Sequence, residues 1–138
     1  MTSYNEIFTR FLRKCTDYSL AQIPEEDAIN ILNGYLDGAI VNFLRPSSDL
    51  SQRDYELQTF NVDLLEYEKE VLARLMLSEW LQPIITSTTN VLLAFSAKES
   101  HSQAAHLKQL MELRDDNEIK IKKLLRDKSY VNNSYFDD

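Results

Sequence analysis

The sequence predicts an all-α fold: a small helical bundle of four to five helices with a long C-terminal helix and an extended C-terminal tail. Three observations carry that prediction. Only 2 Gly and 3 Pro occur in 138 residues, too few turn-formers for a sandwich or a doubly wound sheet. Apolar residues make up 43% of the chain and recur mostly at spacings of three and four, not in alternation. The region from about Ser102 to Asp127 reads as one helix of roughly 40 Å at 1.5 Å per residue. The length suits a single domain over residues 1–128, with residues 129–138 as the tail.

The first helix opens at Ser3, an N-cap residue, with Glu6 three positions on to complete a capping box. Ile7, Phe8, Phe11, Leu12 and Cys15 then fall on one face, and Thr16–Tyr18 read as the exit. The second helix starts at Pro24-Glu25-Glu26-Asp27, where proline suits the first turn and the acids complement the helix dipole. Its buried stripe is Ile29, Leu32, Leu36, Ile40 and Phe43, and Pro46 ends it. Gly34 and Gly38 on this helix would let a neighbouring helix come close, at some cost in propensity.

Residues 45–62 show no sustained period and read as a long connection. At that length a loop is functional or carries a short helical turn, and Tyr55 and Phe60 are expected to pin it to the body. Asp63 is the expected cap of the third helix, with Glu66 closing its box. After Arg74 this helix is apolar almost all round, so it is expected to be central. Its Leu72, Met76 and Trp80 should pack with Leu36, Ile40, Phe8 and Phe11. Pro83 is expected to stop or kink it. Residues 84–97 mix a helical stripe with a β-branched Ser/Thr cluster, and a further helix is expected to begin inside that cluster. The last helix has the stripe Ala104, Leu107, Leu110, Met111, Ile121, Leu124, Leu125. Its middle is polar at Arg114, Asn117 and Glu118. Either the two ends pack on different surfaces or the middle is solvated. The final SYVNNSYFDD has aromatics without a helical period.

Charge is unevenly spread within a net −7. Asp17–Glu79 holds 13 acids against 4 bases, and Leu107–Lys128 holds 7 bases against 5 acids. An acidic body argues against bulk nucleic-acid binding. The basic cluster Lys120, Lys122, Lys123, Arg126 and Lys128 reads first as a solvated face near a helix C-terminus. Contact with a nucleic-acid backbone or an acidic protein are its other readings. The single Cys15 forms no internal disulfide and reads as a packed thiol in a reducing compartment. No signal peptide and no membrane span are expected, because no segment approaches roughly 20 consecutive apolar residues.

Catalytic chemistry needs a constellation, and none assembles. His101 and His106 are five apart, a poor spacing for shared metal ligation on one helix face. Glycine-rich phosphate loops, nucleophile elbows and calcium loops are all missing. Glu25–Asp27 read as a helix start, and Asp115 and Asp116 as a solvated face. No enzyme activity, metal or cofactor is expected.

The stretches NEIFTRFLRK, LNGYLDGAIVNF, DLSQRDYELQTFNVDLLEYEKEVLARLMLSEWLQP and SQAAHLKQLMELRDDN cover much of the chain. Their order resembles the head–tail connector (adaptor, head-completion) proteins of tailed bacteriophages. The resemblance is diffuse and rests on no catalytic signature. It implies a helical-bundle subunit, made in the bacterial cytoplasm and built into the virion neck. It implies a homo-oligomeric ring of about a dozen copies, a dodecamer, closed by rotational symmetry. That ring would sit beneath the portal protein, extend the DNA channel and offer a docking surface to the next neck or tail protein. DNA would pass through without specific binding. The portal-binding role would fall to the C-terminal segment, through Tyr130, Val131, Tyr135 and Phe136. The 45–62 connection, with Asp49, Arg53, Asp54 and Glu56, is the expected channel-lining or inter-subunit loop. A small cytoplasmic protein-binding or regulatory module is the alternative, and a weak nucleic-acid binder ranks behind it.

Overall fold

The computed structural model describes residues 1–15, 22–94 and 100–136. Side chains of Ser100 and of residues after Asp127 lie outside that description, as do the expected exit at Thr16–Tyr18 and residues 95–97 at the end of the mixed 84–97 stretch. Four helices are present among the described residues: α1 (Tyr4–Lys14), α2 (Glu25–Asn42), α3 (Glu66–Ala94) and α4 (Ser100–Phe136). The chain is a small helical bundle with a long C-terminal helix, as its composition predicts.

The hub is α3, against which α1, α2 and α4 all pack. Val71, Leu72, Met76, Leu77, Trp80 and Leu81 are buried along it. Leu36 of α2 and Ile7, Phe8 and Phe11 of α1 close the core, with Ile40 partly buried beside them. The apolar encirclement of α3 after Arg74 follows from this position, since a helix touched on several sides has no solvent face to keep polar.

Several local expectations give way. The Ser3 hydroxyl caps α1 by accepting from Asn5 N at 3.2 Å, while the Glu6 carboxylate turns to Lys69 at 3.1 Å instead of closing a box. Leu12 is 43% exposed, so the buried face of α1 runs through Tyr4, Ile7, Phe8 and Phe11. Pro83 neither stops α3 nor starts a new element: α3 continues to Ala94 and absorbs the expected fourth helix. Proline costs that helix the bond to the carbonyl four residues back, but Pro83 is exposed, where water can serve that oxygen. On α2, Ile29 is exposed and the buried positions are Leu32, Leu36 and Ala39. Gly38 does admit α3 closely: a Cβ there would lie 2.5 Å from the Glu79 carboxyl carbon, whereas at Gly34 it would meet nothing within 4 Å.

The 45–62 connection contains two short strands. With an N-terminal strand, β1 (Thr2–Ser3), the strands β2 (Arg53–Asp54) and β3 (Thr59–Phe60) form an antiparallel sheet in the order β1-β3-β2. Thr2 faces Phe60, and Arg53 faces Phe60 from the other side. The sheet is laced to the bundle by Tyr4 N donating to Gln58 O at 2.8 Å and by Leu64 N donating to the buried Thr2 hydroxyl at 2.9 Å. Phe60 is buried against Tyr4, ring centroids 5.0 Å apart. The expected anchor Tyr55 is exposed instead.

Finally, α4 continues through Phe136, so the backbone expected to form an extended tail from Ser129 is helical as far as that residue.

Candidate functional site

The β2–β3 hairpin turns through Tyr55-Glu56-Leu57-Gln58. Its residues form a tight turn because the Asp54 carboxylate accepts from Glu56 N at 2.9 Å and Leu57 N at 3.1 Å, a local bond that aspartate makes readily. Gln58 takes the left-handed φ of 55° that brings the chain back into β3. Asp49 does the same for the preceding turn, accepting from Ser51 N at 3.0 Å and the Ser51 hydroxyl at 2.6 Å. Those bonds hold the Asp49 carboxyl below the usual carboxylate range.

Arg53 points inward. Its guanidinium pairs with Asp37 of α2 at 3.0 Å and lies 4.4 Å from the centre of the Tyr55 ring. Burial pushes the Tyr4 phenol above its ordinary range, against the opposing pull of Arg53. Of the four expected loop residues, Asp49 and Asp54 therefore shape turns and Arg53 anchors the hairpin to α2. Glu56 stands exposed at the tip beside Tyr55 and Leu57, the last 65% exposed.

The other expected site, the C-terminal segment, begins where α4 leaves the bundle. Asn117 meets Arg74 and Ser78, while Glu70 shares a groove of 300 Å³ with Lys123, Leu124 and Asp127. This register is antiparallel and sets Asp127 level with the first turn of α3. The last nine helical residues, 128–136, thus run about 14 Å past the start of α3 at 1.5 Å per residue. Positions 131 and 135 share one face of that arm. The side chains of Tyr130, Val131, Tyr135 and Phe136, like all of Asp137 and Asp138, lie outside the described residues.

Two polar groups are central to the architecture: Glu68, which the sequence did not single out, and Asn117, noted there only as part of the polar middle of the last helix. Glu68 is fully buried. Its carboxylate accepts from Leu65 N at 2.9 Å, Ser48 N at 2.9 Å and the Ser48 hydroxyl at 2.6 Å. It caps α3 in the role expected of Glu66 and clamps the chain after Pro46. The signal was its place three residues after Leu65, but side-chain capping preferences favour the polar residue Asp63. Asn117 is 1% exposed. Its carboxamide donates to Arg74 O at 2.8 Å and the Ser78 hydroxyl at 3.1 Å, and accepts from Arg74 Nη1 at 3.2 Å. The polar middle of α4 is neither a solvated stretch nor a gap between two surfaces at this position; it is a buried polar joint to α3.

Between α1 and α3 runs an ion-pair lattice. Glu70 meets Lys14 at 2.8 Å, Arg10 at 3.2 Å and Arg74 at 3.4 Å. Lys69 meets Glu6 at 3.1 Å and Glu66 at 3.2 Å, and Glu66 also pairs with Arg10. Burial pushes the Glu70 carboxyl up, but Lys14, Arg10 and Arg74 together bring it below the usual range. A shallow groove of 440 Å³ lies over this lattice, lined by Thr9, Arg10, Arg13, Glu66 and Lys69 among others. Of its charged residues, Glu6, Arg10, Glu66 and Lys69 are paired within the chain.

Among the described residues, no group of three or more His, Cys, Asp or Glu side chains could hold a metal ion. His101 and His106 are exposed on α4. No helix among them is long and apolar enough to cross a membrane. Comparison with family models, with curated proteins and with solved structures returns no match.

Proposed function

We propose that the chain is a structural subunit of a bacteriophage neck: a head–tail connector that forms a ring, joins the portal protein to the tail and extends the DNA channel. The observation that supports this reading best is the helical arm. A bundle of this size has no need of nine more helical residues beyond the start of α3. Such an arm, carrying Tyr130, Val131, Tyr135 and Phe136, offers apolar surface to another protein in a preformed helix. Of these, Val131 and Tyr135 stand four apart, a spacing that helix-in-groove docking uses for its anchors. The stapled hairpin, with Tyr55, Glu56 and Leu57 at its tip, is a second rigid projection suited to a neighbouring subunit. In this reading the acidic body keeps passing DNA from adhering, since like charge repels a phosphate backbone.

The test is assembly. The purified chain is mixed with rings of the portal protein encoded alongside it and examined by negative-stain microscopy and native mass spectrometry. Added density of about a dozen copies on one portal face, matching its rotational symmetry, is the expected result. Removal of residues 129–138 should abolish that density while lowering the helical circular-dichroism signal only by the share of the helical residues removed and leaving the melting temperature nearly unchanged. Failure of the full chain to decorate any portal ring would overturn the proposal, as would normal decoration by the truncated chain for the role of the arm.

A further inference from the structure

The face of α4 turned away from the bundle carries a charge pattern with its own mirror point. Leu110, Asn117, Ile121 and Leu124 mark the inward side. On the opposite side Glu112, Asp115, Asp116, Ile119, Lys122, Lys123 and Arg126 are all exposed, at the three- and four-residue spacings that align one helical face. Ile119, 65% exposed, sits at the middle. Counting outward from it, each acid has a base at the same distance on the other side. Asp116 mirrors Lys122, Asp115 mirrors Lys123, and Glu112 mirrors Arg126.

We propose that this face binds a second copy of the chain, with the two α4 helices antiparallel and crossing at Ile119. A two-fold contact places the same patch on both partners, so the patch must complement itself when reversed. This one does: turned end for end, every acid of one helix meets a base of the other, and the two Ile119 side chains meet on the axis. A parallel pairing would set acid against acid and base against base. The intrachain pairs Asp116–Lys120 at 2.9 Å and Asp115–Arg114 at 3.2 Å are exposed surface contacts of small worth, so they do not withhold these acids from a partner. The buried area of one helix face falls short of the roughly 1,200 Å² of a stable interface. The association is therefore weak and dependent on salt. It does not depend on the ring described above.

The experiment uses the full chain with Cys15→Ser, so that one introduced cysteine is the sole thiol. Ile119→Cys is expected to form a disulfide-linked dimer under mild oxidation at low salt. Cross-linking should slow by roughly tenfold at 0.5 M salt, where screening shortens the reach of surface charges. Asp115→Lys with Asp116→Lys in that background leaves Glu112 as the one acid of the face, and Lys122→Glu with Lys123→Glu leaves Arg126 as its one base. Each charge variant alone should lose the cross-link, and an equimolar mixture should regain it as the mixed dimer. The mixture also guards against misfolding, since misfolded chains would not recover. Orientation is read by mixing Glu112→Cys chains with Arg126→Cys chains, which should join to each other and not to themselves. No cross-link at Ile119→Cys in low salt, cross-linking of either charge variant alone at the parental rate, a mixture that stays monomeric, or self-joining of Glu112→Cys would each overturn the proposal.

Discussion

Replacing Asn117 by alanine tests the joint between α3 and α4. The carboxamide makes three hydrogen bonds, to Arg74 O, the Ser78 hydroxyl and Arg74 Nη1. Each contributes about 1 kcal/mol net, more when a charged group is involved. Alanine removes all three and leaves a small void in a site that is 1% exposed. Arg74 keeps its contact with Glu70 at 3.4 Å, so its charge is not stranded. The expected loss is thus about 2–4 kcal/mol. At about 3–5 °C per kcal/mol for a chain of this size, the melting temperature should fall by roughly 6–20 °C. Thermal and urea unfolding followed by circular dichroism measure it, with exposed Glu118→Ala as the control that should stay within about 0.5 kcal/mol of the parent. Ser78→Ala combined with Asn117→Ala should cost less than the two single changes summed, because the pair shares a bond. If Asn117→Ala melts with the parent, or the double variant is strictly additive, the joint does not hold the helices together.

Three further outcomes follow from the same geometry. Leu72→Ala, at a fully buried position on the hub helix, should cost about 2–5 kcal/mol in urea unfolding by lost transfer and cavity terms; a parental midpoint would show that α3 is not the centre. Glu68→Gln should cost about 1–3 kcal/mol, because one of its three donors must then face an NH₂ group. Limited proteolysis near Pro46–Ser48 should quicken with it, and an unchanged cleavage rate would remove Glu68 as the clamp. Glu70 has a folded-state pKa depressed by Lys14, Arg10 and Arg74 against its burial. Its contribution is therefore present above the unfolded value and lost as pH falls from about 5 through the folded value. Glu70→Gln should flatten the fall in melting temperature over that range, and an equally steep fall in the variant would assign the acid sensitivity elsewhere.

Periodicity made the helices legible because burial on one side of a helix forces the spacing of three and four. The central place of α3 was legible from the converse sign: after Arg74 its apolar residues run almost all round the helix, which burial on one side alone would not require. Periodicity failed where a residue's burial depends on a partner distant in sequence. The strands β2 and β3 are two residues each, too short to show alternation, and they exist because Thr2 and Ser3 supply a third strand. Pro83 looked like a terminator because local sequence does not reveal that its side of α3 faces solvent. Capping preferences point to Asp63 over Leu65 because they rank a residue by its own side chain, whereas here the cap comes from Glu68 reaching back.

The same limit bears on the candidate sites. Arg53, grouped by sequence with the charges of a projecting loop, is held by Asp37 and Tyr55, and its work is to fix the hairpin's angle on α2. A tip fixed in this way can engage a neighbour without first losing much conformational freedom, and ordering costs about 1–2 kcal/mol for each backbone residue fixed. A helical arm has the same advantage over a disordered tail: a segment already helical when it meets a groove gives up less entropy in binding. The extended tail expected from the sequence would order only on its partner, and its aromatics would have to offset that whole cost. In the proposed connector, with residues 129–136 already helical, aromatic burial against the portal would go more fully into affinity. Helix-breaking proline at position 133 should therefore weaken attachment even with Tyr130, Val131, Tyr135 and Phe136 intact. Portal decoration by Asn133→Pro at the parental level would show that the arm binds as an unstructured strand.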